Sequence, residues 1–541
     1  MIQLFHNGTV YAGEGAFCEA FAVENGRFIA AGAYSDLAQA YPQAERNDLR
    51  GAFVCAGFHD SHMHMLGLGT LLTRVDLSAH TQNLADVIAA MQGGLASVFG
   101  DDWLIGRGWN DDYFCDVKRF PTRHDLDAVS RDVPIQITRA CGHVCVVNSR
   151  ALKLAGIDKT TPDPDGGAID RDENGDPTGV LRENAMGLVS DIQPLPDYKK
   201  VKMYLGKAAK ALNKLGITSV QSDDFCAFPA LAFEAVLRAF SEMESEGALS
   251  VRVYEQANLL TIDHLDIFLA TGLRTGAGCD RFRIGPVKLL ADGSLGAHTA
   301  YMARPYADLP ETCGIPIYSQ HRIDTLIGKA HENGMQVAVP AIGDAAMDQV
   351  LNAVEKAQAK HPRPDARHGV VHAQITRPDQ LERMQKMDMH AYVQPIFLDY
   401  DTRIVEPRAG KELAASSYAF GTLRKTCRAS FGSDCPVEGA NPLRGIQCAV
   451  TRAPINAPHM TYRPEEAVTV AEAIDAFTIN SAYACFAEHT RGRIAPGMEA
   501  DFVLLESDPF QTYPSRIADI RVKETWVGGE KVYDNSAKEE D

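Results

Sequence analysis

Two hydrophobic patterns divide this chain. At both ends, short alternating runs are broken by turn residues, as β-strands are: residues 2–5, 9–11, 20–23 and 27–31 at the start, and 501–505, 522–527 and a hairpin over 528–533 at the finish. Between them, short continuous apolar runs alternate with stretches of helical period, the pattern of βα repeats on a parallel sheet. Eight runs qualify as strands: 52–57, 217–221, 250–255, 283–290, 335–339, 369–371, 390–394 and 429–432. Helical stretches at 198–214, 230–246, 324–333, 345–359 and 378–386 separate most of them. Eight strands joined by helices predict a (β/α)8 TIM barrel with its active site at the strands' C-terminal ends. The β-rich termini are expected to meet in a small β-sandwich domain, since chain ends often lie together.

Residues 1–51 and 491–541 would then form the sandwich and 52–490 the barrel. Strands one and two are ~160 residues apart where a βα unit needs about thirty. Residues from about 75 to 200 are therefore read as an inserted lid leaving from the catalytic face, with turns at Pro162–Gly167 and a hairpin tip at Asp172–Asp176. The tail Lys538-Glu539-Glu540-Asp541 is expected to fray.

Composition narrows the classes. Of 541 residues, 45% are hydrophobic and 23% charged, a globular balance that excludes a disordered chain. No run reaches the ~20 apolar residues of a membrane span. The net charge of −18 repels phosphate backbones, which argues against a nucleic-acid partner. Twelve scattered cysteines and a start without a basic stretch and apolar core predict free thiols and a cytoplasmic location. A small-molecule substrate is the expected partner, and a homodimer the default assembly.

The strongest chemical signal follows the first run: Gly57-Phe58-His59-Asp60-Ser61-His62-Met63-His64. Residues two apart on extended chain face one side, so His62 and His64 offer two imidazoles to the barrel mouth, half of a zinc-type site. Lys288 lies in the fourth apolar strand, where an ammonium is costly. Either it carries CO₂ as a carbamate and ligates a metal, or it pairs with Asp292 or another barrel carboxylate. His372 ends strand six. Asp434 follows strand eight, where a carboxylate could bind metal and move a proton, or cap the next helix. Cys141 and Cys145 read as core thiols, with an independent zinc site as the alternative. Gly106-Arg107-Gly108-Trp109-Asn110 reads as a pocket wall; Trp109, Tyr113 and Phe114 either line it or pack the insertion.

Together these residues resemble the metal-dependent amidohydrolase superfamily, in the YtcJ-like branch that includes N-substituted formamide deformylases. Further matching segments are Gly142-His143, Thr178–Ala185, Asp292–Gly296, Ala341–Asp344, Gln394-Pro395, Gly432–Val437, Thr451-Arg452 and Gly497–Val503. The resemblance implies a hydrolase of C–N bonds other than peptide bonds, acting on a small amide or N-substituted formamide through a metal-activated water. It places His62, His64, Lys288 and Asp434 at a first metal position and Lys288 and His372 at a second, with Asp434 as proton shuttle and His372 beside it. His143 and Glu183 would lie near substrate or metal, and Glu183 would bridge if Lys288 is unmodified; Trp109 is read as a substrate contact from its place in the pocket wall alone, not from the resemblance.

The pattern breaks at strand five, which should end in a histidine before Ala341-Ile342-Gly343-Asp344 and instead has Pro340, which offers no ligand atom. One divalent ion, zinc first, is therefore expected rather than two, unless His331 or His368 replaces the missing imidazole. A non-catalytic binding or regulatory barrel, and a metal-dependent esterase or lactonase, are the competing readings.

Overall fold

The computed structural model describes residues 1–536 except 81, 99, 101 and 229; the charged tail lies outside them. Eight strands form one parallel sheet in chain order: Phe58–Met63, Ile217–Ser222, Arg252–Asn258, Phe282–Lys288, Val337–Ala341, Gly369–His372, His390–Val393 and Arg428–Phe431. Pairing is parallel throughout. The segments after strand one and strand eight then meet: Asp434 donates its N–H to the His62 carbonyl (2.8 Å), and His64 donates to that of Cys435 (2.7 Å). The sheet thus curls into the expected barrel. Helices such as Tyr198–Asn213, Gln320–Glu332 and Asp344–Lys360 bury one apolar face on it; Val350, Leu351 and Val354 of the last are enclosed.

One boundary differs from the sequence reading. The run at 52–57 is not barrel strand one. Phe53–Ala56 pairs antiparallel with Phe502–Leu505 and parallel with Thr9–Gly13, inside a six-stranded sheet made by both termini. The barrel strand is the next segment, Phe58–Met63, which carries His62 itself. Gly57 separates the two where a Cβ would collide with Thr218, its nearest atom 2.2 Å away, so the close crossing requires glycine.

A second terminal sheet holds Gln3–His6, Ala20–Glu24, Arg27–Gly32 and Glu45–Asp48. The two sheets share an aromatic core: Phe502 stacks on Trp526 (5.3 Å between centroids, 11°) and meets Phe5 and Phe21 edge-on. These sheets belong to the same compact unit as the barrel, residues 1–69 with 198–541.

Residues 70–197 form a compact unit of their own. Six strands make its sheet, including Leu104–Trp109, Ile135–Arg139 and the hairpin Gly167–Arg171 with Pro177–Glu183. Trp109 is completely enclosed in its core beside Phe114 and Phe120. That position packs the insertion, so the expected substrate contact at Trp109 is corrected. Cys141 is exposed rather than a core thiol, whereas Cys145 is buried. No cysteine is disulfide-bonded, and no helix among the described residues is long and apolar enough to cross a membrane.

Replacing Phe502 with alanine removes the ring on which Phe5, Phe21 and Trp526 converge. The variant should lose about 3–5 kcal/mol of unfolding free energy, read by denaturant titration; a loss below about 1 kcal/mol would mean that the terminal sheets add little to the fold.

Candidate metal centre

The centre forms where strands one and eight close the barrel. Asp60 ties them together: one carboxylate oxygen accepts from the N–H groups of His62 (3.1 Å) and Ser433 (3.0 Å), the other from the Ser433 hydroxyl (2.5 Å). Burial pushes Asp60 up to about 7 against those donors. Gly432 makes the approach possible, since a Cβ there would lie 2.6 Å from the His62 nitrogen. Asp434 turns back through a left-handed conformation (φ 59°). Its Oδ1 comes 3.3 Å from His62 Nε2 and 3.1 Å from His64 Nε2.

Hydrogen bonding on the far side of each ring fixes what faces the carboxylate. His62 Nδ1 lies 2.7 Å from Gln256 Oε1, and His64 Nδ1 lies 3.2 Å from the Asp223 backbone oxygen. Both partners only accept and call for a hydrogen on Nδ1, which turns each Nε2 toward Asp434. Two imidazole nitrogens and a carboxylate oxygen therefore converge, and each of the three residues offers a ligand atom within 4.8 Å of the others. A cation or a proton at its focus holds such a set together.

The electrostatics agree. Burial, then the charge of Lys288, pushes His62 down to about 4, so it stays neutral. Burial would lower His64 too, but the Asp434 hydrogen bond and the Asp223 charge outweigh it and raise its pKa. Burial would raise Asp434, but the His62 and His64 rings set against its carboxylate hold it well below the usual carboxylate range. Two imidazoles and one ionised carboxylate fit a divalent ion such as zinc, which also accepts ligands from outside the protein. Among the described residues this trio is the one group of three histidine, cysteine or acidic side chains with that spacing.

Lys288 has a buried carboxylate beside it, one other than Asp292. Its Nζ donates to Asp223 Oδ2 (3.1 Å) and to His62 Nε2 (3.3 Å). Asp292 instead accepts the backbone N–H groups of Tyr301, Ile342 and Gly343. Asp223 is fully buried; burial would raise its pKa, but Lys288 and the two histidines lower it, and Asn258 donates to the same oxygen (3.0 Å). Asp223, Gln256 and Asn258 were not singled out in the sequence. Their signal was present nonetheless, as polar residues at the ends of strands two and three, the rule that located Asp434.

His372 ends strand six with a ring centroid 5.8 Å from that of His62, and its Nδ1 faces Gln394 Oε1 at 2.8 Å. It adjoins the trio without joining it. Pro340 is buried in strand five opposite Val371, its carbonyl accepting from Ala291 (3.1 Å). His331 and His368 do not replace the missing imidazole. They bond each other at 2.7 Å, and His368 accepts from the Val337 N–H, at the N-terminal ends of strands five and six, the end opposite the centre. Within the inserted unit, His143 Nδ1 and Glu183 Oε2 form an exposed pair at 3.0 Å.

Comparison with known proteins shows the family. The amidohydrolase family model matches residues 46–533. YtcJ of Bacillus subtilis, described as an amidohydrolase, is 36% identical, covering 99% of this chain and 100% of its own. N-substituted formamide deformylase of Arthrobacter pascens is 26% identical over 96% of this chain and 95% of its own. The crystal structure of a metal-dependent hydrolase from Pyrococcus furiosus, itself uncharacterised, shares 32% identity and a TM-score of 0.79, covering 94% of this chain and 100% of that one.

Asp223→Asn should leave the Lys288 ammonium buried without a counter-charge and cost about 3–5 kcal/mol of unfolding free energy. Asp223→Leu combined with Lys288→Met should recover most of that loss. Equal stability of all three proteins in a denaturant titration would show that the pair carries no such load.

Proposed function

The chain belongs to the amidohydrolase family, and from that premise we propose that it is a metal-dependent hydrolase. It cleaves the C–N bond of a small uncharged amide or N-substituted formamide, using one divalent ion held by His62, His64 and Asp434. One observation carries the reading: the Nε2 atoms of two imidazoles converge on an ionised carboxylate at the mouth of the barrel, 3.3 and 3.1 Å from Asp434 Oδ1. When bound, the ion supplies Lewis acidity that activates water and polarises the scissile carbonyl. Asp434, ionised at neutral pH, takes the proton from the attacking water and returns it to the leaving nitrogen. His372 stays neutral, since burial lowers its pKa against the charge of Asp434. With Nδ1 turned to Gln394, its Nε2 is left to accept a substrate N–H.

Two features support a single ion. Pro340 brings no donor to the end of strand five. Lys288, engaged by Asp223, already brings positive charge beside His62, and a carbamate there would set two anions side by side. The C–N preference draws on the Arthrobacter pascens relative, whose name gives that reaction.

Metal analysis of the purified protein should find about one transition-metal ion per chain. Zinc-loaded protein should release formate and amine from a panel of N-alkyl and N-aryl formamides. Asp434→Asn should cut turnover by at least ~10³-fold while circular dichroism stays unchanged. Unaltered rates in that variant would remove Asp434 from the chemistry. Turnover of esters and lactones alone would reassign the scissile bond, and absence of metal and turnover would leave a binding protein.

A further inference from the structure

We propose that Gln256 is a positioning residue that sets the tautomer of His62 before any ion binds, and that Gln394 does the same for His372. The proposal rests on the reading of His62, His64 and Asp434 as a metal centre for its consequence, but not for its geometry.

Gln256 is fully buried on strand three. Its Nε2 donates to the Ser61 backbone oxygen at 3.1 Å, which fixes the orientation of the amide. Turned over, the amide would press Oε1 against that carbonyl, two acceptors face to face, at a cost of about 1–3 kcal/mol. In the observed orientation Oε1 faces His62 Nδ1 at 2.7 Å and can only accept. The hydrogen is therefore on Nδ1.

The other side of the ring is balanced. His62 Nε2 has a donor, Lys288 Nζ, and an acceptor, Asp434 Oδ1, each at 3.3 Å, so the choice of tautomer falls to Gln256. At strand seven the device recurs. Gln394 Nε2 donates to the Tyr392 oxygen at 3.0 Å, leaving Oε1 for His372 Nδ1 at 2.8 Å.

The chemical consequence lies in the neutrality of these clamps. A carboxylate behind a metal-binding imidazole draws on the Nδ1 hydrogen and makes Nε2 a stronger donor. An amide oxygen orients the ring equally well without adding charge. The imidazoles remain modest donors, and the anionic charge reaching the ion comes from Asp434 alone among the trio.

The tautomer can be read without metal. In protein labelled with ¹⁵N-histidine and freed of metal, the His62 signal is identified by its loss in His62→Asn. Wild-type protein should show a protonated Nδ1 and a bare Nε2 at His62, and Gln256→Leu should shift that ring toward a mixture of tautomers. Zinc affinity, measured by competition with a chromophoric chelator, should fall about 10–100-fold in Gln256→Leu. Gln256→Glu, which keeps an accepting oxygen, should retain the Nδ1–H signature and bind zinc at least as tightly as the wild type. If Gln256→Leu fails to fold, the wild-type and Gln256→Glu spectra still decide the matter. A wild-type His62 protonated on Nε2, or a Gln256→Leu variant matching wild type in both tautomer and zinc affinity, overturns the proposal. Wild-type protein that takes up no zinc yet shows the Nδ1–H signature, lost in Gln256→Leu, upholds the positioning role while the metal reading falls.

Discussion

The buried carboxylate of Asp60 holds the candidate centre together. It gathers the backbone of strand one and the loop after strand eight on a single side chain, through two backbone N–H groups and one hydroxyl. His62 and Asp434 are 372 positions apart, and what registers them is this junction with the two backbone hydrogen bonds beside it. Burial pushes the acid up to about 7, so the junction keeps a costly group in the interior. The cost is accepted because three donors meet it; with fewer, a buried carboxyl at this seam would loosen the register it now imposes.

Around that seam, charge is used sparingly. Asp434 is the carboxylate in the trio, and the rings behind it are held by an amide and a backbone carbonyl. Lys288 adds a positive charge and Asp223 cancels it, with Asn258 supporting the same oxygen. Pro340, which brings no imidazole, fits this economy: a second cation would need further anionic donors, and the ends of strands four to six supply a paired lysine, a proline and a neutral histidine.

The terminal strands contribute from below. Arg252, at the start of barrel strand three, is buried and forked onto Asp501 at 2.7 and 3.0 Å, where the C-terminal sheet begins. Burial would lower the Asp501 acid's tendency to ionise, but the guanidinium holds its pKa below the ordinary range. A bidentate pair out of water fixes orientation as well as position. It locks the sheet made by both ends of the chain against the strand whose other end carries Gln256.

Local pattern alone determined much of this protein. Seven of the eight barrel strands, the five helical stretches and the terminal strands follow from period and turn chemistry, because those signals act over a few residues. His62, His64 and Asp434 were legible because barrel geometry assigns meaning to polar residues at strand ends. What local pattern could not decide was partnership. The runs on either side of Gly57 are both fully buried strands, and their sheets were chosen by Thr9–Gly13 and Phe502–Leu505 in one case and Ile217–Ser222 in the other. Lys288 could have met any buried carboxylate; the packing of strands two to four chose Asp223. Trp109 could have lined a pocket, and His331 could have entered one, until tertiary contacts enclosed the first in a core and paired the second with His368. Element identity is set by neighbours along the chain, whereas a side chain's charge partner and burial are set by segments hundreds of residues away that only folding brings near.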